Sequence, residues 1–599
     1  RHSIRDDGVL SAMLLGEKGA LDAEIKSLYQ RAGIAHVLAI SGLHISLLGM
    51  GLYRLLRKRL HTQYVTAALA TTVFLISYAV LSGNGVSTQR AVGMCLIYLF
   101  ADVTGYAYDM LNALGIVVLV LLWENPFLLS YSGFVFSVMA VIAIGVGANV
   151  LLEWEHSWKR RQQAGEETIK KTFFSRQKEG ILVSFAIQLF TIPLVAYSYY
   201  EIPVYAMLIN LFVLAVVNGL LGLTVLGVIV GMAFLPAGRV LFAPCGWMLD
   251  SYRFLCEVSL KIPGAQRITG KPAHMRIFWY YLGLGVFLLA IYACARRNEK
   301  HKDCRETADL CVSRRKKRLQ GIVFSCFIAF LLLFLLFPQK KSFEIDFLDV
   351  GQGDGIYLCT GGGTSMFIDG GSTDVKQVGK YRILPFLKAK GVSEISYWFV
   401  SHTDTDHVSG LKEVLVSGYR VEYLVLAKAV EKEAKTKELA ELARSHGTKV
   451  LYMQAGDTVR NKRAAMRCLY PKASDKAEDV NDLCLVLQFE EGDIRALFGG
   501  DISTDVEEQL SRREKWDKVL IFKADHHGSR YANAEALLKC IRPEITVASA
   551  GKDNRYGHPS PDAVQRIKES GSRFFCTIEG GRIRVRVIEN KLVCETYVK

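Results

Sequence analysis

Apolar residues gather in blocks along the first 337 positions, and short polar stretches interrupt them. The blocks fall at 34–56, 64–82, 90–103, 111–123, 131–152, 180–199, 203–218, 219–235, 278–295 and 321–337. A helix perpendicular to a bilayer needs about 20 such residues to cross the hydrocarbon core. The pattern therefore predicts a polytopic α-helical membrane domain of about ten spans over 34–337, behind a polar lead-in at 1–33. Several blocks are short or broken by glycine, which predicts half-helices or re-entrant pieces where protein or a water-filled cavity satisfies the backbone. The 236–277 stretch has amphipathic patches and reads as lying along the membrane surface or as packing on other helices. From Phe343 the period changes to short β-type runs (FEIDFLDV, TSMFIDGG, YWFVSH, CLVLQFE, ALFGGD, VLIFKAD, ITVASA, RFFCTIE, GRIRVRV), with helical stretches at 432–446 and 561–569 between some of them. Residues 338–599 are thus expected to form a separate α/β domain.

Composition supports this division. Hydrophobic residues make up 51% of the 599 positions and mean hydropathy is +0.21, which excludes a disordered chain, a fibre or one soluble domain. The net charge of +15 is uneven: residues 1–340 carry 34 Lys and Arg against 20 Asp and Glu, and residues 341–599 carry 39 against 38. The excess concentrates at 54–59, 159–178 and 296–318, with 4, 7 and 10 basic residues. Lys and Arg translocate poorly, so these stretches read as cytoplasmic loops; a DNA-binding basic tract is the alternative. The ten blocks satisfy the parity this requires, which puts 1–33, 236–277 and everything after Pro338 outside the cytoplasm. Thirteen cysteines without a CxxC pair indicate neither a disulfide scaffold nor a zinc ribbon. The opening Arg1 reads as the start of a fragment whose N-terminal part is missing.

The sharpest chemical signal is His402-Thr-Asp404-Thr-Asp406-His407, directly after the strand YWFVS. Two imidazoles and two carboxylates on one tight turn can converge on a pair of metal ions. Further candidates close other strands: Asp369 in FIDGG, Asp501 in LFGGD, His526 and His527 in ADHHGS, and His558 in NRYGHPS. A divalent pair there would activate water and clamp the oxygens of an in-line displacement at phosphorus. Lys523, Ser529, Asn554 and Tyr556 flank these ligands as candidate phosphate contacts, or as ordinary loop residues. Arg582, Arg584 and Arg586 alternate on one strand face and could supply a basic patch. In the membrane half, HVLAISGLHISLLG puts two histidines, two serines and glycine inside an apolar span. Such polar residues face a cavity or a neighbouring helix rather than lipid. His36 and His44, eight positions apart, could share a helix face, and Ser41, His44 and Arg90 are the candidates for a channel path.

The C-terminal motifs resemble those of the metallo-β-lactamase fold, an αββα sandwich with a dimetal site along one edge. That family's central motif is HxHxDH; here it is HxDxDH, with Asp404 in place of the second histidine. The resemblance assigns His402, Asp404, Asp406 and His407 to the motif, Asp501 to the bridging carboxylate, Asp369 to the acid supporting the loop, and His558 to the closing ligand. The remaining histidine normally precedes the bridging Asp, and the His526–His527 pair is expected to supply it instead. Asp406, His527 and Asp369 are the expected catalytic group. Exchanging an imidazole for a carboxylate hardens the first position, favouring Mn(II) while leaving Zn(II) open.

The segment LLGEKGALDAEIKSLYQRAG with HVLAISGLHISLLG, then STQRAVGM, WENPFLLSYSGFVFS and the C-terminal motifs, closely resembles the ComEC competence-protein family across the whole chain. The resemblance implies an inner-membrane DNA uptake channel of bacterial transformation. Single-stranded DNA would pass through the membrane half, while the external domain, a dimetal nuclease, degrades the other strand. It also implies other competence proteins as partners, including a DNA receptor and a cytoplasmic motor, since the chain has no GxxxxGK[ST] loop. Two alternatives stay open: a non-catalytic DNA-binding module on a channel, and a membrane-anchored phosphodiester hydrolase.

Overall fold

The computed structural model describes residues 3–17, 19, 21–40, 42–162, 173–300, 310–338, 341–461, 463–477, 479–589 and 591–598. The chain divides into two compact units, Arg1–Phe337 and Pro338–Lys599.

The first unit is helical. Six of its described helices are long and apolar enough to cross a membrane: Tyr64–Leu81, Ser132–Trp158, Lys178–Tyr199, Ala206–Ala233, His274–Arg297 and Arg315–Leu336. Against about ten apolar blocks, six described helices meet this length and hydropathy. Blocks 203–218 and 219–235 form one helix, because Asn218 and Gly219 do not break a run that has no proline. Blocks 90–103 and 111–123 lie in the helices Val86–Thr104 and Met110–Glu124, the second of which is short. Block 34–56 has a 3-10 turn at Ala35–Leu38, separate from a helical run that begins at Gly42–Ile45 and continues through a π-type turn at Ser46–Met50 into Gly51–Lys58. His36 and His44 therefore share no continuous helix face.

The 236–277 region contains the helix Leu235–Lys261, which folds back along Ala206–Ala233. Tyr252 donates to the Val213 carbonyl at 3.0 Å, and Gly238 meets Gly231 so closely that a Cβ would stand 2.5 Å from its Cα. Helices Ser3–Leu15 and Ala23–Ala32 bury Val9, Met13, Ile25 and Tyr29 against this hairpin, beside Ile209, Cys245 and Leu249.

The second unit contains two mixed sheets. The order of the larger is Lys591–Thr596, Ile583–Ile588, Glu344–Phe347, Gly355–Cys359, Ser365–Asp369, Glu394–Phe399, Arg420–Ala427, Lys449–Met453. Its first five strands pair antiparallel and the rest parallel. The smaller runs Arg573–Cys576, Ile545–Ala548, Ile521–Lys523, Ile494–Phe498, Val486–Glu491, Ala464–Tyr470, Thr458–Asn461, parallel over the first four.

Alternation along the strands explains the layers. Phe343, Ile345 and Phe347 join Met466, Phe489, Ile521 and Ile545 in a core shared by the two sheets. Tyr357, Phe367 and Trp398 point the other way, towards the helices Leu384–Ala389, Thr405–Val416 and Ala434–Ser445. A third core joins Leu497 and Phe522 to the helices Thr504–Arg513, Glu535–Ile541 and Pro561–Glu569. Helices outside and sheets inside make an αββα sandwich. Asp369, His402, Asp501, His526, His527 and His558 all follow the C-terminal ends of strands in the parallel halves.

Candidate metal centre

The loop after Glu394–Phe399 sets the first ligands. Asp404 stands at the N-terminus of the helix Thr405–Val416, whose first turn carries Asp406 and His407. His407 is completely buried. Its Nδ1 lies 3.0 Å from Asp369 Oδ2, which leaves Nε2 facing Asp501 Oδ2 at 3.4 Å. Asp369 also accepts from the Ser401 N–H at 2.7 Å, so this carboxylate fixes both the loop and the imidazole. His402 Nδ1 contacts Ser401 Oγ at 3.1 Å and Cys484 Sγ at 3.3 Å.

The opposite wall is the Asp525–Gly528 turn. His526 and His527 both adopt left-handed backbone, φ +48° and +56°, a strain of about 1–3 kcal/mol per residue that clusters at functional sites. His527 Nδ1 lies 3.0 Å from the Ser549 carbonyl, and its Nε2 faces Asp501 at 3.4 Å and Asp406 at 3.8 Å. His526 is more exposed, 3.8 Å from Asp501.

Two groups of side chains could hold ions: Asp354, His407, Asp501 and His527, all buried, and His402, Asp406 and His407. Within each, one ligand atom per residue lies within 4.8 Å of the others. Buried His407 Nε2, His527 Nε2, Asp501 Oδ1 and Asp354 Oδ1 have no hydrogen-bond partner, while Asp354 Oδ2 is paired with Lys523 at 2.5 Å. Orphaned lone pairs converging from three strand ends fit a divalent cation, whose coordination would replace the missing hydrogen bonds.

Asp354 was not legible as a site residue. Its signal is an acid set between glycines in GQGDG. The loop is held down by backbone bonds from Asp354 N–H to the Asp406 carbonyl, 3.1 Å, and from Gly371 N–H to the Asp354 carbonyl, 3.0 Å. A Cβ on Gly353 would stand 2.5 Å from the Asp406 carbonyl oxygen, and one on Gly371 2.4 Å from the Asp406 carbonyl carbon. Both glycines are required by this approach of one backbone to another.

Other expectations come out differently. Asp404 is in neither group; it is partly exposed and paired with Lys435 at 2.8 Å. His558 also lies outside both, stacked at 6.2 Å on His527. Lys523 is completely buried, 2.5 Å from Asp354 Oδ2 and 3.2 Å from the Gly500 carbonyl, so it braces the site and presents no phosphate contact. Ser529 is buried, its Oγ accepting from the Tyr531 N–H. Asn554 donates to the Gly551 and His558 carbonyls and accepts from the His558 N–H, which ties its own loop. Of these four phosphate candidates, Tyr556 is the exposed one. The Arg582, Arg584 and Arg586 stripe is neutralised by Asp346, Glu344 and Glu595. In the first unit, buried Arg90 donates from Nε to Ser137 Oγ at 2.8 Å, and His44 is buried. Ser41 lies outside the described residues.

Electrostatics follow from this burial. Burial opposes protonation of His407, but Asp501 and Asp369 outweigh it and hold its pKa well above the ordinary value. His527 is raised against burial by Asp501 and Asp354. The Asp501 carboxyl is resisted by burial, yet His527 and His407 hold it well below its ordinary range. Asp354 is lowered despite burial, with Lys523 the main counter-charge. Burial depresses His402 and His558 to about 4, so both are neutral donors.

Residues 13–293 match the family described as Competence protein. The helical first unit of the chain is thus similar to competence proteins. It is 26% identical to ComE operon protein 3 of Bacillus subtilis (strain 168) over 597 residues, 97% of this chain and 71% of that protein. It is 25% identical to Recombination protein 2 of Haemophilus influenzae, over 98% of this chain and 72% of that protein. Among solved structures it is similar to the metallo-β-lactamase fold protein YhfI of Bacillus subtilis, at 11% identity and TM-score 0.29, covering 41% of this chain and all of that one. The chain joins an apolar helical unit, similar to competence proteins, to an αββα sandwich with a buried His/Asp cluster.

Proposed function

We propose that this chain carries single-stranded DNA across the bacterial cytoplasmic membrane through its first unit. Its second unit, on the extracytoplasmic side, hydrolyses phosphodiesters of the strand that is not transported. The observation that carries the reading is the convergence of buried, under-satisfied donor atoms of His407, His527, Asp501 and Asp354 in a chain whose first unit is similar to competence proteins. Similarity to competence proteins points to DNA handling, and six long apolar helices support a membrane location. The broken segment at 35–58 supplies irregular backbone of the kind that lines a cavity rather than lipid.

Bound divalent ions, two by this reading and Mn(II) or Zn(II) by ligand hardness, would supply Lewis-acid activation of water and phosphate. The chain's own residues do the positioning. His402, Asp406 and His407 would hold one ion, and Asp501 and His527 the other, with Asp354 beside them. Asp369 and the Ser549 carbonyl fix the two imidazole tautomers so that each Nε2 is turned inward. Neutral His402 need lose no proton to serve as a donor.

A non-catalytic reading, in which the unit only grips DNA, draws on one observation: Lys523 and Lys435 already compensate Asp354 and Asp404. The deciding experiment measures hydrolysis of labelled linear DNA by the full chain with Mn(II) or Zn(II), beside Asp406→Ala and Asp501→Ala. Metal-dependent cleavage lost in both variants supports the nuclease. Folded, metal-loaded protein that leaves DNA intact favours the grip.

A further inference from the structure

The proposed phosphodiesterase site must take hold of its substrate somewhere, and its inner polar residues are committed to one another. Lys523 is buried on Asp354, Ser529 is buried in its own turn, and Asn554 is spent on the loop that carries His558. Outward from the centre the rings form a graded stack. His558 lies 6.2 Å from His527 at an interplanar angle of 27°. Tyr556 lies 5.7 Å from His558 at 23°. The Arg555 guanidinium lies 4.8 Å from the Tyr556 ring and donates to its hydroxyl at 2.5 Å. The stack begins at a completely buried imidazole and ends at a ring that is 49% exposed.

The stack is also rigid before any ligand arrives. Asn554 closes its five-residue loop by accepting from the His558 N–H at 2.9 Å and donating to the His558 carbonyl at 2.6 Å. The His526–Tyr531 loop lies alongside, since a Cβ on Gly528 would stand 2.7 Å from Pro559. It adds Tyr531, 71% exposed. Exposed Arg530, Lys552 and Arg555 bring positive charge to the two loops, against one exposed acid, Asp553. Aromatic faces interleaved with cations are what a single strand requires: every base has a π-face to stack, and the cations follow the phosphates. In a duplex the bases already stack on one another and offer the rings nothing.

We propose that Tyr556 and Arg555 form a nucleobase-stacking lip that admits an unpaired nucleotide to the adjacent centre, so that single strands and frayed ends are taken in preference to the interior of a duplex. This rests on the phosphodiesterase reading for its chemistry but not for its binding. Tyr556 is a specificity-determining residue and Asn554 positions it.

The test uses the full chain and two labelled oligonucleotides of equal length, oligo(dT) and its abasic counterpart. Wild-type protein should bind oligo(dT) more tightly, and Tyr556→Ala should remove about 5- to 100-fold of that preference. Tyr556→Trp should keep it, which a merely structural support of His558 would not explain. An oligonucleotide carrying 5-iododeoxyuridine should photocrosslink within 552–558. An unchanged preference in Tyr556→Ala, or crosslinks confined to other segments, overturns the proposal. Cleavage is followed in parallel: wild-type protein that binds with the preference but cleaves nothing refutes the phosphodiesterase reading and leaves the lip standing.

Discussion

Lys523→Met isolates the ion pair that braces the centre. The ammonium and the Asp354 carboxylate are both buried, 2.5 Å apart, and Asp354 Oδ1 has no hydrogen-bond partner. Removing the lysine takes the main counter-charge from a buried carboxylate and leaves His527 and His407, 3.7 and 3.9 Å away, as its remaining partners; deleting one partner of a buried pair costs about 3–5 kcal/mol. For a unit of this size each kcal/mol moves the midpoint by about 2–4 °C, so metal-free variant should unfold roughly 10 °C below wild type. Two comparisons separate this cause from simple misfit. Lys523→Met with Asp354→Asn removes both charges and should recover most of the loss, a coupling that a double-mutant cycle reads directly. Saturating Mn(II) or Zn(II) should also narrow the gap, because a cation beside Asp354 compensates the same charge. The assay is thermal unfolding of the purified full chain, followed by a signal from the sheet-rich unit. A Lys523→Met midpoint within about 2 °C of wild type, or a double variant no better than the single one, would refute the argument.

Metal uptake by the free protein should release protons from His407 and His527, because the carboxylates around both imidazoles favour their charged form and an ion must displace those protons. Calorimetry in buffers of different ionisation enthalpy counts them, and zero release would contradict the assignment. In the metal-free protein, the stability contributed by the two raised imidazoles is fully present below their unfolded value of 6.5 and is lost as pH rises through the folded values. That contributed by Asp501 and Asp354 is present above their unfolded value of 3.8 and is lost as pH falls through the folded values. Unfolding midpoints should therefore peak between those limits, and a maximum above pH 8 would count against it. Asp369→Asn should weaken metal affinity about 10- to 100-fold by freeing the His407 ring, measured by competition with a chelating dye; unaltered affinity would remove Asp369 from the support of the centre. Gly238→Val should destabilise the hairpin of Ala206–Ala233 and Leu235–Lys261 by about 1–3 kcal/mol through overpacking, and a wild-type unfolding curve in detergent would show that the close approach to Gly231 is absent.

The parts legible in the sequence were those whose chemistry is local. HxDxDH advertised itself because a strand end and a helix start within six residues bring His402, Asp406 and His407 together, with Asp404 alone turned out to Lys435. The run FEIDFLDV was legible as a strand, whose alternate residues Phe343, Ile345 and Phe347 the structure places in the sandwich core. Asp354 escaped because its place depends on a backbone bond to Asp406, 52 positions away and across the sheet. Lys523 misled for the opposite reason: a lysine next to a ligand motif reads as a surface cation, and only tertiary packing shows it sealed against a carboxylate. Among the helices, hydropathy divided 206–233 at Asn218 and Gly219, although neither residue stops a helix held by neighbours. It also set 235–261 apart because Arg239, Asp250, Arg253 and Glu257 lower its mean, while the face built from Gly238, Cys245, Leu249 and Tyr252 packs inward.

Gly353 and Gly371 carry no chemistry, yet each abuts the Asp406 backbone where a single added carbon would collide. A homologue could therefore retain every histidine and aspartate of the centre and still be inert, because one alanine at either position pushes the ligand-bearing turn out of register. Surveys that score such domains as active by their ligand motif alone would count these silent copies as enzymes, and two glycines more than thirty residues upstream of that motif are the place to look for them.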